Sequence, residues 1–424
     1  MNIKKENFFD NLLMAFQHVL VMNAYIVPVV IASSLNLSNE NSSNLIQSTF
    51  LVSGIATLLQ SIFFMKNPVI YGASFVPVGA IIGIYSANNK NPLGTIIFAE
   101  IVASIFMVIF GISKSYTKIS KKFLTPIVSS TIVLSIGVAL VVMGVNQIID
   151  IENNGLEKNI LISIFTFSLF IFFSILGGKN LKISKFFSIT SAILAVSISI
   201  LVFRNFFEID FTNFNNSKII SIPKLAFLDY KLNFDLSSIF TMIIIYAVVL
   251  TENTGTWIMT ENATNLKIKD SQYNKGIIGS GVVNIISAIF GSTAISAFSS
   301  NVGIISISKM FSDKIFKYAG IILILIGFSS KLSSLIAIIP SPIISGIFLA
   351  IASVVAESGI EMFKNIEIKG NKIYVVAIPI MLSIFLNIIP LDILNSFPKI
   401  LQYIFSSSIA TSAIFAILLD KIIK

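Results

Sequence analysis

The 424-residue sequence contains no cysteine, a single histidine (His18) and one tryptophan, and only 12% of its residues are charged. Without cysteine, neither a disulfide framework nor a thiolate-ligated metal site can form, and one histidine excludes a multi-histidine metal centre. We therefore expect no metal and no cofactor. Soluble domains carry about 25% charged residues, so this chain lacks the polar surface that water requires.

Apolar residues are correspondingly abundant: 55% of the chain is hydrophobic, 37 residues are Phe, and the mean hydropathy is +0.91. This composition predicts an all-α polytopic membrane protein with the lipid bilayer as its solvent. The net charge of +9 could suggest a nucleic-acid partner. However, membrane proteins collect Lys and Arg on cytoplasmic loops, and no basic stretch here alternates with aromatic residues in a soluble segment, so we expect no nucleic acid.

The hydrophobic pattern predicts fourteen transmembrane segments, since a bilayer core takes about 20 apolar residues per helix. They lie near 12–34, 45–65, 70–88, 94–113, 122–148, 159–177, 184–205, 236–259, 275–291, 292–310, 315–337, 340–362, 372–390 and 402–421. Placing both termini in the cytoplasm puts most of the 29 Lys and Arg residues on that side, in agreement with the positive-inside rule.

The longest predicted non-spanning interval, 205–235, divides the segments into two sets of seven. An odd number of helices in each half gives the halves opposite orientations, which is the arrangement of an inverted repeat. The third segment of each half, 70–88 and 292–310, is interrupted by small and polar residues. Interrupted segments at corresponding positions of two repeats indicate a substrate site near the middle of the membrane.

Glu252, in the sequence Leu250-Thr251-Glu252-Asn253-Thr254-Gly255, lies within the eighth segment. A carboxylate there costs at least about 2.5 kcal/mol, so it should face the bundle interior. We interpret it as a substrate-binding or proton-carrying group rather than a structural polar group. Thr256 lies one helical turn away and shares its face.

Three further polar residues fall within predicted segments. His18, in the first segment, is interpreted as a packed hydrogen-bonding residue in preference to a proton carrier. Asn301 would lie beside the break in the tenth segment, where free backbone amides can donate to a ligand. Glu100, in the fourth segment, has no obvious partner, and both a structural and a functional role stay open. Phe75 and Phe298 belong to the interrupted segments, and two rings flanking a site would suit a flat ligand.

Several short motifs occur together in this order: Gln17-His18, Gly72-Ala73-Ser74-Phe75, Glu252 with Gly255, Phe290-Gly291-Ser292-Thr293 and Asn301-Val302-Gly303. With them, nearly the full chain resembles the nucleobase–ascorbate transporters, the uracil and xanthine permeases also called nucleobase:cation symporter-2. The resemblance implies a secondary transporter and not an enzyme, in the cell (plasma) membrane, which imports a nucleobase with a coupling proton or another cation. It also implies a homodimer.

The same resemblance implies fourteen transmembrane segments in a seven-plus-seven inverted repeat, with short strands followed by half-helices in segments 3 and 10. A core domain would comprise residues 1–118 and 233–338, and a gate domain residues 119–232 and 339–424. The implied substrate-binding residues are Phe75, Glu252, Phe298, Ser299, Ser300 and Asn301. The residues implied for proton coupling or support are Glu252, His18, Thr256 and Ser280.

The chain departs from the family pattern at several of these positions. Ser300 replaces a Gln or Glu before the Asn-x-Gly, Thr256 replaces a histidine typical of uracil permeases, and Ser280 replaces an Asp found in several purine permeases. The shorter Ser300 leaves a wider pocket, and Phe298-Ser299 replaces a Tyr-Gly pair. Both changes favour a purine such as xanthine or urate over uracil, while the coupling of transport stays open.

Two readings compete with proton-coupled purine uptake, besides a uracil permease of the same family. A sulfate-type anion exchanger would share the inverted-repeat architecture, but a carboxylate at Glu252 would repel an anionic substrate. An intramembrane enzyme lacks support, because the sequence offers no paired carboxylates, no His-rich ligand set and no Ser–His dyad at helical spacing.

Overall fold

A computed structural model describes residues 8–22, 24–87, 91–114, 123, 125–149, 155–177, 184–207, 209–308, 310–364, 366–390, 393–394 and 396–423. These residues are mostly helical. The first half contains α1 (Phe8–Val21), α2 (Ile26–Ser34), α3 (Asn39–Ile62), β1 (Tyr71–Ala73), α4 (Val78–Ala87), α5 (Pro92–Ile112), α6 (Pro126–Ile149), α7 (Leu156–Gly177) and α8 (Ser184–Phe203). The connection that follows contains α9 (Thr212–Asn216) and α10 (Ala226–Asp229). The second half contains α11 (Leu236–Thr264), α12 (Asp270–Ile289), β2 (Ile295–Ala297), α13 (Ser300–Ser308), α14 (Asp313–Gly327), α15 (Ser330–Ala337), α16 (Ser341–Phe363), α17 (Ile373–Ile388), α18 (Lys399–Ser406) and α19 (Ser408–Ile422).

Within the described residues, six helices are long and apolar enough to cross a membrane, or up to eight spans if each of two bent pairs counts as one. The bent pairs are α14 with α15, at 77°, and α18 with α19, at 94°. Large apolar side chains such as Leu201 and Leu325 are about two-thirds exposed, as expected for a surface that faces lipid. The chain therefore has a polytopic helical membrane fold.

Three predicted continuous segments are broken by helix ends in the structure. Segment 12–34 divides into α1 and α2, because Pro28 is tolerated only in the first turn of a helix. In segment 315–337, the Ser329 side chain accepts from the Leu332 N–H at 3.3 Å and starts α15. In segment 402–421, Ser407 accepts from the Ala410 N–H at 3.3 Å and starts α19. Both serines act as N-caps.

The two segments with interrupting polar residues each contain a short strand followed by a helix. β1 and β2 pair antiparallel, with Tyr71 opposite Ala297 and Ala73 opposite Ile295, and all six strand residues are buried. A two-stranded sheet at membrane depth must satisfy its outer backbone groups without water. Side chains of neighbouring helices do so here: Thr57 Oγ1 accepts from Tyr71 N at 3.0 Å, and Asn284 Oδ1 from Ile295 N at 2.6 Å.

Two pairs of helices approach each other closely at glycines. A Cβ on Gly54 of α3 would lie 2.5 Å from the Gly320 carbonyl oxygen of α14. Likewise, a Cβ on Gly137 of α6 would lie 2.5 Å from the Ala356 nitrogen of α16. Small residues allow this approach, which is how helices associate in lipid. These two helix pairs are therefore tightly packed.

Candidate substrate site at the strand crossing

Glu252 lies within α11, sixteen residues and about 24 Å from its first residue. Its Oε2 accepts a hydrogen bond from the Ser74 hydroxyl at 2.7 Å. Its side chain is partly exposed, although its neighbours Thr251 and Asn253 are buried. No Lys, Arg or His in the described ranges forms an ion pair with it. The carboxylate is thus held at one oxygen and keeps acceptor capacity for a ligand.

Ser74 follows β1 and is fixed by its own backbone contacts. Its Oγ accepts from Val76 N at 3.2 Å, and its N–H donates to the Ala294 carbonyl at 2.8 Å. With its acceptor side occupied, the hydroxyl proton points to Glu252. A hydrogen bond to a charged group contributes about 1.5–3 kcal/mol, so Ser74 positions the carboxylate at the crossing.

Two side chains of α11 next to Glu252 attach the helix to β2. Asn253 Oδ1 accepts from Ala297 N at 2.6 Å, and Thr256 Oγ1 donates to the Ala297 carbonyl at 3.2 Å. The Asn253 amide also donates to Ser280 Oγ at 3.3 Å, and Ser280 accepts a second bond from Gln60 at 3.1 Å. Thr256 and Ser280 therefore support the strand and do not face open space.

Phe75 and Phe298 follow the two strands, two residues after β1 and one residue after β2. Phe75 is buried and its ring centroid lies 6.0 Å from that of Phe348 in α16, at an interplanar angle of 53°. Phe298 is partly exposed, and its ring lies against Gly72, where a Cβ would be 2.8 Å from Phe298 Cε2. Gly72 therefore leaves the room that the Phe298 ring needs beside β1.

Helix α13 begins at Ser300, where backbone N–H groups lack intrahelical partners. In this first turn, Val302 N donates to the Ser299 carbonyl at 2.9 Å. Ser299 and Ser300 are partly exposed. A Cβ on Gly303, three residues after Ser300, would meet no atom within 4 Å, and the same holds for Gly255, three residues after Glu252. Residues three apart share a helix face, so open space borders the faces of Glu252 and of Ser300.

His18 and Asn301 form a buried pair. His18 Nδ1 and Asn301 Oδ1 are 3.3 Å apart, and the His18 ring centroid lies 5.1 Å from that of Phe316. His18 has no hydrogen bond to Glu252 in the described part of the chain. It thus packs against the first turn of α13 through Asn301.

Sequence reasoning assigns no role to Ser74 or Asn253, which contact Glu252 and β2 in the structure. Ser74 lies in the motif Gly72-Ala73-Ser74-Phe75, and Asn253 follows Glu252 directly. A buried amide beside an interrupted segment is a signal for a side chain that satisfies free strand backbone. Among the described residues, no group of three or more His, Asp or Glu could hold a metal ion.

A family model described as a permease family matches residues 9–391. The chain belongs to this family, the nucleobase–ascorbate transporters. It is 28% identical to the uric acid permease PucK of Bacillus subtilis over 87% of this chain and 85% of that protein. It is 26% identical to the xanthine permease of the same organism over 98% of this chain and 93% of that protein. Its relatives are permeases, so the prediction of a transporter and not an enzyme is confirmed.

The fold is also similar to a solved structure from outside these relatives. The transmembrane domain of the cyanobacterial bicarbonate transporter BicA matches with a TM-score of 0.64 and 16% identity, over 90% of this chain and 97% of that domain. Such low identity shows a shared fold only.

Proposed function

We propose that this permease is a secondary active transporter that imports a nucleobase, a purine of the xanthine or urate type, by proton symport. The observation that carries the proposal is the Glu252 carboxylate, held by Ser74 where two interrupted membrane segments cross, with no ion pair to it among the described residues. A carboxylate within a membrane segment is costly, and its retention points to a ligand or a proton.

The chemistry of an oxopurine fits the groups at the crossing. Its ring N–H groups would donate to the free acceptor sites of Glu252, and its carbonyl oxygens would accept from the backbone amides of Ser299 and Ser300. Phe298 would stack on the ring from the exposed side, with Phe75 behind it. Asn301 would hold the first turn of α13. Together these groups would satisfy the hydrogen-bond donors and acceptors of one flat ligand.

A purine is favoured over uracil because Ser300 is short and the neighbouring face of α13 borders open space at Gly303. Uracil transport is the alternative within the family. A sulfate-type anion exchanger with the same architecture is the alternative of another class. An anionic substrate would meet the Glu252 carboxylate, which has no ion pair among the described residues.

Proton coupling would use Glu252, because it is the carboxyl that the described residues place at the crossing. Protonation would neutralise the empty carrier and so lower the cost of moving the site through the membrane. His18 is buried and bonded to Asn301, so we assign it to support. The protein would lie in the cell membrane with both termini in the cytoplasm.

Alternating access would arise from movement of a core domain, residues 1–118 and 233–338, against a gate domain, residues 119–232 and 339–424. Fourteen segments in a seven-plus-seven inverted repeat would give this division, and a homodimer would anchor the gate. Two contacts bridge the proposed domains next to the site. They are the Phe75–Phe348 ring pair at 6.0 Å and the hydrogen bond from Ser407 Oγ to the Val76 carbonyl at 3.2 Å.

The proposal is tested by uptake of radiolabelled xanthine, urate and uracil into proteoliposomes, with and without an inward proton gradient. We expect gradient-driven accumulation of a purine by the wild type and its loss in Glu252→Gln. Glu357→Gln, at an exposed carboxyl on α16, is the matched control. Accumulation that persists in Glu252→Gln, or uptake of sulfate and of no base, would overturn it.

A further inference from the structure

A second carboxyl, Glu100, lies apart from the strand crossing in α5. It is 2% exposed, and its Oε1 has no hydrogen-bond partner among the described residues. No ion pair to it occurs there either. Glu100 is eight residues after Pro92, about 12 Å along the helix, and therefore within the hydrocarbon layer. An unpaired carboxyl at this depth needs a proton or a cation.

Glu100 lines a cavity of about 70 Å³ that lies beneath the connection between the two halves. Tyr230 of the connection and Asn41 and Asn44 of α3 form a polar, accessible rim. A cavity that binds benzene measures about 150 Å³, so this one is too small for a nucleobase. It has room for water or for a small cation.

Thr293 supplies a second free oxygen in the same cavity. It is 2% exposed, and its Oγ1 has no hydrogen-bond partner in the described ranges. No Lys, Arg or His lines the cavity. The titratable side chains that face Glu100 are Tyr230 of the connection and Tyr246 of α11. At the rim, the Lys224 N–H donates to Asn44 Oδ1 at 2.8 Å, and its ammonium pairs with Glu40. The Glu100 carboxyl and the Thr293 hydroxyl therefore supply the oxygens for a hard cation.

A chain of direct contacts joins this cavity to Glu252. Ala294 is next to Thr293 in the chain, and its carbonyl oxygen accepts a hydrogen bond from Ser74 N at 2.8 Å. Ser74 in turn donates to Glu252 at 2.7 Å. A ligand that draws Thr293 toward Glu100 would therefore shift the group that holds the substrate carboxylate.

We propose that Glu100 and Thr293 form a binding site for a small monovalent cation, Na⁺ or a proton, which enters beneath the connection at residues 205–235. The proposal rests on the proposed function, because a cation bound there takes part in the coupling of a transport cycle. Glu100 then adds a second coupling site to Glu252, which binds the substrate and carries a proton.

The first experiment measures the thermal stability of the purified protein in NaCl against choline chloride, and across pH in choline. We expect wild type to be stabilised by Na⁺ or by acid, and Glu100→Gln to lose that dependence. Glu361→Gln, at an exposed carboxyl, should keep it. Thr293→Val retains the carboxyl and should weaken the dependence in the same direction. Identical cation dependence in wild type and in both cavity variants would overturn the site.

The second experiment separates this site from the substrate site. Glu100→Gln should bind xanthine within about threefold of the wild-type Kd but lose at least tenfold in gradient-driven accumulation, equilibrating the base instead. Loss of xanthine binding in Glu100→Gln, or unchanged accumulation, would contradict the assignment. If the wild type binds no base, the proposed function fails, while a cation-dependent stability that requires Glu100 would still support the cation site.

Discussion

The two interrupted segments have similar backbones but different surroundings. In the first, residues 70–87, β1 and Phe75 are buried, and a Cβ on Gly79 of α4 would lie 2.4 Å from the Ser406 carbonyl oxygen. In the second, residues 295–308, Phe298 and Ser300 are partly exposed, and a Cβ on Gly303 would meet no atom within 4 Å. One segment is enclosed by protein, and the other borders open space.

The difference indicates a division of roles. The first segment carries Ser74, which fixes the Glu252 carboxylate, and it packs against the turn between α18 and α19. The second segment offers a ring, two serines and the amides of a helix start to whatever occupies the open space. We therefore propose that the first predicted repeat supplies a positioning element and the second a ligand-facing element.

The largest loss of stability is expected when the contact between α11 and the second segment is broken. Asn253→Leu removes the acceptor of Ala297 N and leaves that N–H unpaired at membrane depth, which should cost about 3 kcal/mol of stability. Thermal unfolding of the purified protein measures it. Asn274→Leu on α12, whose side-chain oxygen has no partner among the described residues, is the control. Equal melting temperatures for the two variants would mean that Asn253 does not hold β2.

Alanine substitutions at Gly79 and Gly303 compare the packing of the two interrupted segments directly. Gly79→Ala places a methyl group against the backbone of Ser406 and should destabilise the protein by about 2 kcal/mol. Gly303→Ala faces open space and should leave the melting temperature at or above that of wild type, since Ala favours helix over Gly by about 1 kcal/mol. Gly303→Ala should instead weaken purine binding. If Gly303→Ala were less stable than Gly79→Ala, the first segment would not be the more tightly enclosed of the two.

Ser74→Ala tests whether the first segment acts by positioning. It deletes the hydroxyl at 2.7 Å from Glu252 and should weaken xanthine binding by about 1.5 kcal/mol, roughly tenfold in Kd. Equilibrium binding of radiolabelled xanthine reports the change. Ser86→Ala, at an exposed serine of α4, should bind like wild type. A Kd for Ser74→Ala equal to that of Ser86→Ala would remove Ser74 from the site.

Ser300→Gln should have the smallest energetic effect, under about 1 kcal/mol of stability, because Ser300 is partly exposed beside open space. The longer side chain narrows the pocket and should shift preference from xanthine toward uracil. Competition of both bases for labelled xanthine measures the ratio. No shift in the ratio would mean that Ser300 does not face the base.

The sequence was enough to predict the membrane fold and the interruption of segments 70–88 and 292–310, because charge and small polar residues are costly or disruptive in lipid. The breaks before Ser330 and Ser408 escaped prediction, since a capping serine looks like any polar residue inside an apolar segment. A serine caps a helix only where the backbone turns, and a hydropathy profile contains no information about backbone turns.

The site was predictable to the extent that its residues are unusual. Glu252 stood out because a carboxylate in a span demands an explanation, whereas Ser74 and Asn253 belong to types that are common in membrane helices. Their importance comes from partners distant in sequence, Glu252 and Ala297, which only the fold reveals. For Glu100 the sequence leaves a structural and a functional role open. The cavity that it shares with Thr293 is the observation on which the proposed functional role depends.

Equilibrium binding of xanthine to the purified protein, compared among wild type, Glu252→Gln and Glu357→Gln, tests the central claim most directly. Binding by the wild type and by Glu357→Gln, with loss of at least tenfold in affinity for Glu252→Gln at unchanged melting temperature, is the predicted result. Full affinity in Glu252→Gln would contradict the account, because the base would then bind away from the strand crossing.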